Sequence, residues 1–302
     1  MTNNHGESQY YPIGDIDIRE LISILWKGKF IITSFIILTS IIGLIVAFQL
    51  PNFYKSEALL APAQPSSGLN RTMQNYSGLA SLAGLDLPSG PEINQTAEAI
   101  EKIKSLSFFE KQIIPDIFLP DLMAIDSWNR VLNLMEYDPS MFNKTEQKWI
   151  KKPTVQESFD EFKELLSISE DPNTGFIRLA IEHHSPFIAK SWVDLIISKI
   201  NSSLRLEKKR IAEKSIEYLE YQMSQTNLTE IKQVLAELVQ SQIQQLAVIE
   251  TNEAYVFRYI DPPVASENKI KPDRLMILFL SSLLGAIFGA LLVLINFFRD
   301  KS

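Results

Sequence analysis

Hydrophobic and polar positions along this chain sort into two unbroken apolar stretches with a long mixed segment between them. The first runs over residues 30–50 (FIITSFIILTSIIGLIVAFQL) and the second over 275–298 (LMILFLSSLLGAIFGALLVLINFF). Each meets the ~20 apolar residues that a helix needs to cross about 30 Å of hydrocarbon. A core helix of this length usually shows a polar face, and neither stretch has one. A membrane hairpin bracketing one large domain is therefore expected. The first stretch is too long for the h-region of a cleaved signal, and Gln49-Leu50-Pro51-Asn52 follows it where small residues would mark a cleavage site. Arg19, Lys27 and Lys29 precede it and only Lys55 follows closely, so positive-inside bias keeps the amino terminus cytoplasmic. The second stretch is nearly balanced, with Lys269, Lys271 and Arg274 facing Arg299 and Lys301. The first helix usually dominates.

Between the spans the periodicity changes several times. Residues 53–63 read as a strand leaving the membrane, and 63–90 as a Pro/Ser/Gly/Asn-rich excursion with a small apolar patch at 76–85. Helices are expected at 94–104, at 106–114 up to the breaks at Pro115 and Pro120, and at 122–135. Residues 137–152 look irregular, with Trp149 as an anchor. Thr154 with Glu157 has capping-box spacing ahead of Phe159, Phe162, Leu165 and Leu166 on one helical face. Two short strands, 167–170 and 175–183, flank a turn signal at Asp171-Pro172-Asn173-Thr174-Gly175.

After Pro186 a helical period persists for some forty residues, a rod of roughly 60 Å. A small domain cannot bury such a rod along its length, so its stripe requires a returning helix, neighbouring copies, or both. The return starts near Asn227, with Glu230 completing a capping pair, and Ile231, Val234, Leu235, Leu238, Leu246 and Ile249 carry the stripe back. Leu204, Ile211, Leu219, Leu235, Leu238 and Leu246 are the candidate oligomerisation stripe of this arm. Gln242 and Gln245 interrupt the seam; they either specify register or face solvent. Residues 254–261 read as a strand, and Pro262, Pro263 and Pro272 bar helix beyond it, giving an extended strut to the second span. The two strands nearest the spans can pair in one sheet. The expected fold is α+β: a base at 51–186 and 254–274, a helical arm at 187–253, spans at 30–50 and 275–298, and short end segments at 1–29 and 299–302, too small for an output domain.

Composition narrows the chemistry. The chain has 302 residues, 46% of them apolar, enough for a core besides the spans. Its net charge of -7 and the lack of any basic cluster beyond Lys208-Lys209-Arg210, read as a solvated helix face, argue against nucleic acid as a partner. With no cysteine, disulfides, thiolate metal sites and cysteine nucleophiles are excluded. Only His5, His183 and His184 are available. The last two are adjacent on a strand, where neighbouring side chains point to opposite faces. No metal-ligating spacing, phosphate-binding glycine loop or distinguished carboxylate pair occurs, so no catalytic, metal or cofactor site is expected. In the second span Ser281, Gly285 and Gly289 recur every four residues, the spacing that lets helices approach closely in lipid.

Four segments in order resemble one family. They are Asp15-Ile16-Asp17-Ile18-Arg19-Glu20-Leu21-Ile22 with Leu25-Trp26-Lys27; Ser185-Pro186, Ala189 and Trp192; Ser215-Ile216-Glu217-Tyr218-Leu219; and Tyr255-Val256-Phe257, Ile260-Asp261-Pro262 and Pro272. They resemble the Wzz-type chain-length determinants, the polysaccharide co-polymerases of Gram-negative inner membranes. Ser266-Glu267-Asn268 stands where some members carry another proline. The resemblance implies a periplasmic α/β base with a long helical hairpin, a ring-like homo-oligomer, and work with a polymerase to set the modal length of O-antigen or a related polysaccharide. Lipid-linked or growing polysaccharide and membrane lipid are the other partners it implies. Two rival classes stand beside it: a periplasmic glycan-acting enzyme, and a membrane-anchored adaptor of an efflux or secretion machine, which would usually carry a lipoyl-like β domain.

Overall fold

The computed structural model describes residues 18–63 and 95–301, and it divides into two units. The apolar patch at 76–85, most of the 63–90 excursion, His5 and Asp15 to Asp17 lie outside the described residues.

The first unit is helical. Helix α1 (Ile18–Lys27) leads through Gly28 into α2 (Lys29–Gln49), and α7 (Arg274–Lys301) packs antiparallel on α2. Both α2 and α7 are long and apolar enough to cross a membrane, and most of their surface is unburied within the unit. That exposure separates them from the core helices of a soluble protein, whose apolar faces are covered.

The second unit holds a five-stranded antiparallel sheet. Strand β1 (Phe53–Pro62) is its axis, paired on one side with β7 (Ile177–His183), which in turn pairs with β6 (Leu166–Glu170). On its other side β1 pairs with β8 (Phe257–Asp261) and, nearer its start, with β9 (Lys269–Lys271). The strands entering from one span and leaving to the other thus share a sheet. Tyr54, Ser56, Ala58 and Leu60 alternate inward along β1, opposite His183, Ile181, Leu179 and Ile177.

Over this face lie α3 (Gln95–Ile103), α4 (Val155–Leu165) and the first half of α5 (Pro186–Gln225). Helix α4 begins at the expected capping box, with Thr154 and Glu157 each satisfying the other's backbone amide. The β6–β7 turn needs Gly175, whose φ is +66°. Residues 106–116 are helical but irregular, widening to a π turn over Phe109–Ile113 and closing in a 3-10 turn at Pro115. There Phe109 stacks on Phe159 and Phe162, at centroid distances of 5.6 and 4.8 Å.

Three local expectations are corrected. Residues 122–135 form no single helix: after a short turn at Pro120–Met123 the chain makes a hairpin of β2 (Ile125–Asn129) and β3 (Leu134–Tyr137). Asn129 accepts hydrogen bonds from the amides of Val131 and Leu132, and Asn133 takes φ 50°, so local side-chain bonding wins over helical period. The irregular stretch at 137–152 contains a second small hairpin, β4 (Phe142–Asn143) with β5 (Lys148–Trp149), and Trp149 stacks edge-on to Phe142 at 5.2 Å. Helix α6 (Thr229–Thr251) starts at Leu228 with no side-chain cap, so Asn227 and Glu230 form no capping pair.

Candidate functional site

The arm is α5 and α6 together. α5 has 40 residues, about 60 Å of helix. Its first half belongs to the base: Ala189, Trp192, Val193, Ile196, Ile197, Ile200 and Leu204 are buried against the sheet and α3. Among the described residues, the apolar cover of its second half comes from α6, through a small cluster of Leu219, Leu235, Leu238 and Val239 with Ile216, Met223, Ile231 and Val234 around it.

The six residues of the predicted stripe therefore separate. Leu204 is part of the base core, and Leu219, Leu235 and Leu238 are buried within the chain's own hairpin. Ile211 is exposed and Leu246 half-buried. The returning helix takes up the seam, and a second band stays uncovered in this single chain: Leu206, Ile211, Tyr218 and Tyr221 on α5 and Ile243 on α6. The two glutamines also part, Gln242 buried on the seam and Gln245 exposed.

Ion pairs brace the arm at its root. Lys102 reaches Glu207 at 2.5 Å and Lys208 reaches Glu98 at 3.1 Å, both between α3 and α5, while Lys209 joins Glu250 of α6 at 2.6 Å. Two members of the basic trio thus tie neighbouring elements together instead of forming a free solvated face. The Lys102 ammonium holds the Glu207 carboxyl below its usual range.

Two buried polar residues fix the base: Asn201, which sequence did not single out, and His183, which it weighed only as a metal ligand. Asn201, in the apolar row of α5, accepts from the amides of Val256 and Phe257 at 2.8 and 2.9 Å and donates to the Phe257 carbonyl at 2.9 Å. It locks the start of β8 onto the long helix with both acceptor sites of its oxygen and one of its two N–H donors used. The signal was an asparagine between Ile197, Ile200 and Leu204 at core spacing. His183 accepts from the Ser185 amide through Nδ1 at 3.0 Å, and its Nε2 lies 2.8 Å from the Asp121 carbonyl. Burial pushes its pKa down to about 4, so it is neutral near pH 7. Asp121 accepts from the Tyr137 hydroxyl at 2.6 Å, and burial raises its carboxyl. This cluster lies behind the first turn of α5 with Trp192 edge-on to His183. Among the described residues no group of acidic, histidine or cysteine side chains has metal-binding geometry.

The small residues of α7 face α2. A Cβ on Gly285 would lie 2.8 Å from Ile36 Cα, and one on Gly289 would lie 2.8 Å from Ile32 Cα. Ser281 sits against Gly43, and Ser40 and Ser282 share a hydrogen bond of 2.9 Å. The two helices thus interlock through Gly, Ser and Thr, whose small side chains allow the close approach. At the exit from the sheet Pro262 is exposed, Pro263 buried and Pro272 half-buried. The segment hugs β1, with Ser56 Oγ donating to the Val264 carbonyl at 2.8 Å.

Residues 14–114 match the Wzz family model, described as chain length determinant protein. The resemblance to the chain-length determinants holds. The match spans the first segment quoted above, α2, β1 and α3. Comparison with curated proteins finds no match. Among solved structures, a full-length bacterial polysaccharide co-polymerase is similar at 14% identity and a TM-score of 0.41, covering 94% of this chain and 99% of its own. A fragment of WzzB, a polysaccharide co-polymerase from Salmonella Typhimurium, is similar at 11% identity and a TM-score of 0.32, covering 73% of this chain and 100% of its own. At such values neither neighbour carries an argument about this chain.

Proposed function

We propose that this protein is a non-enzymatic regulator of the bacterial inner membrane that works with a polymerase to set the modal length of O-antigen or a related surface polysaccharide. The observation that carries the reading is the chain-length determinant match over 14–114, which runs from the pre-membrane segment through the first span into the sheet axis. In this reading α2 and α7 are the two passes, residues 1–29 and 299–302 are cytoplasmic, and the segment between the spans is periplasmic. Ser281, Gly285 and Gly289 hold the passes together, and Pro262, Pro263 and Pro272 keep the exit extended. Copies of the chain assemble through their arms, and the uncovered band of Leu206, Ile211, Tyr218 and Tyr221 supports this reading because isolated hairpins would leave it in water. The mechanism is geometric: the assembled surface holds the growing glycan or the polymerase. Deleting the gene and resolving the surface polysaccharide on a gel tests it. A shifted or scattered ladder restored by the intact gene is the expected result, and an unchanged ladder refutes it.

A further inference from the structure

The β2–β3 hairpin ends in Arg130-Val131-Leu132, and its tip is both rigid and apolar. Asn129 Oδ1 accepts from the Val131 and Leu132 amides at 3.0 and 3.1 Å. Trp128 Nε1 donates to Asn133 Oδ1 at 2.9 Å, closing the turn from the other side. Val131 is 92% exposed and Leu132 64% exposed. A turn pinned by three side-chain hydrogen bonds thus holds two adjacent aliphatic side chains out of the fold. Single exposed apolar residues are ordinary, but two held together at a fixed tip are a presented surface.

Chain connectivity places the foot of this hairpin, at Trp128. Trp128 packs edge-on to Tyr54 at 5.4 Å. Tyr54 is five residues beyond Gln49, the last residue of α2, so extended chain keeps it within about 18 Å of the span's end. Phe53 is the register partner of Lys271, and Arg274 opens α7 three residues later. Both tethers therefore leave from one end of the sheet, the end where Trp128 sits. Phe187, half-exposed, packs on the other side of Trp128 at 6.2 Å. Aromatic side chains and cations together suit the headgroup level of a bilayer, and Arg130, Lys269 and Lys271 supply the cations. The acids at this end include Asp126, which faces His184, Glu136, which accepts from Ser127 at 2.8 Å, and Glu182, which is paired with Lys271 at 2.5 Å.

We propose that Val131 and Leu132 are a lipid wedge, inserted in the bilayer surface from which both tethers emerge, with Arg130 at the headgroup phosphates. A protein partner is the poorer occupant, because two side chains fall far short of the roughly 800 Å² per partner of a stable interface. A lipid surface asks for no such area: a few apolar side chains reaching about 5–10 Å into the headgroup boundary suffice. The wedge would fix the height and tilt of the base over the membrane. It needs the two spans but not the polysaccharide reading.

The chain has no cysteine, so one introduced thiol carries one fluorophore. The full-length protein, in nanodiscs of phosphatidylethanolamine and phosphatidylglycerol, is labelled at Val131→Cys, at Ile37→Cys in α2 and at Asn173→Cys in the exposed β6–β7 turn, at the other end of the sheet. Iodide in the water and nitroxide-labelled lipid are the two quenchers. The wedge predicts that Val131→Cys follows Ile37→Cys: strongly dimmed by the lipid quencher, with iodide quenching several-fold weaker than at Asn173→Cys. Iodide quenching equal to that at Asn173→Cys overturns it. So does a probe shielded from iodide yet untouched by the lipid quencher, which would mean that protein covers the tip. Failure of the lipid quencher at Ile37→Cys overturns the membrane hairpin itself, and the wedge with it.

Discussion

The two halves of α5 obey different rules. The first half is one wall of a closed core, with Ile196, Ile197, Ile200 and Leu204 sealed against the sheet and Asn201 bonded to β8. The second half shares a narrow seam with α6 and leaves Ile211, Tyr218 and Tyr221 in the open. Among the described residues the base closes its own core. The arm leaves a further stripe exposed among the described residues, because a two-helix hairpin buries one stripe of each helix. The difference says where the chain finds its own stability and where the proposed assembly would have to supply it.

The sharpest way to break this contrast is Asn201→Leu. It strips two buried amides and one carbonyl of partners at once, at about 1–3 kcal/mol for each group left bare. A loss of about 4 kcal/mol in urea unfolding of the full chain is expected, with β8 released from α5. A loss below about 1 kcal/mol would mean that the base does not depend on this clamp.

Acid should attack the same half. The folded pKa of His183 lies near 4, below its ordinary 6.5, so the unfolded chain takes the proton first. Its contribution is complete above pH 6.5 and is lost as pH falls toward 4, about 3 kcal/mol over that window. His184, also lowered by burial, works in the same direction, while the raised carboxyl of Asp121 partly offsets both. Urea midpoints measured from pH 7 to 4 should fall for the wild type and fall less steeply for His183→Gln. Parallel curves would remove His183 from the account.

In the distal half, Leu238→Ala should cost about 2–3 kcal/mol, felt locally. Hydrogen exchange should quicken in α6 and in the end of α5 while β1 and β7 stay protected. Slower still in effect is the pair Ile211→Ser with Tyr221→Ser. These exposed positions should change the stability of one chain by less than about 0.5 kcal/mol, read by the same urea curves. A larger loss would place them inside the fold after all.

How far the sequence carried can be seen element by element. The two long apolar helices, the capping box at Thr154, the Gly175 turn and the length of α5 were legible because each rests on local chemistry: unbroken apolar character, a side-chain cap, a positive φ, an unbroken period. The hairpin at 125–137 was not, since its residues carry a helix-like spacing and the deciding bonds come from Asn129 and Asn133. The stripe on the arm was seen as one band because periodicity gives an angle around the axis without saying who covers it. Leu219 and Ile211 are eight residues apart and lie on different sides of that question. Asn201 and the structural role of His183 were hidden for a related reason: their partners, Val256, Phe257 and Asp121, are more than fifty residues away in the chain.

The central claim is that the arm is unfinished in one chain and is completed by further copies. The mass of the full-length protein in native-like nanodiscs, measured for the wild type and for Ile211→Ser with Tyr221→Ser, tests it most directly. The account predicts a defined multimer for the wild type and smaller species for the double variant with the base still folded. A wild-type protein that is a single chain in the bilayer would contradict it.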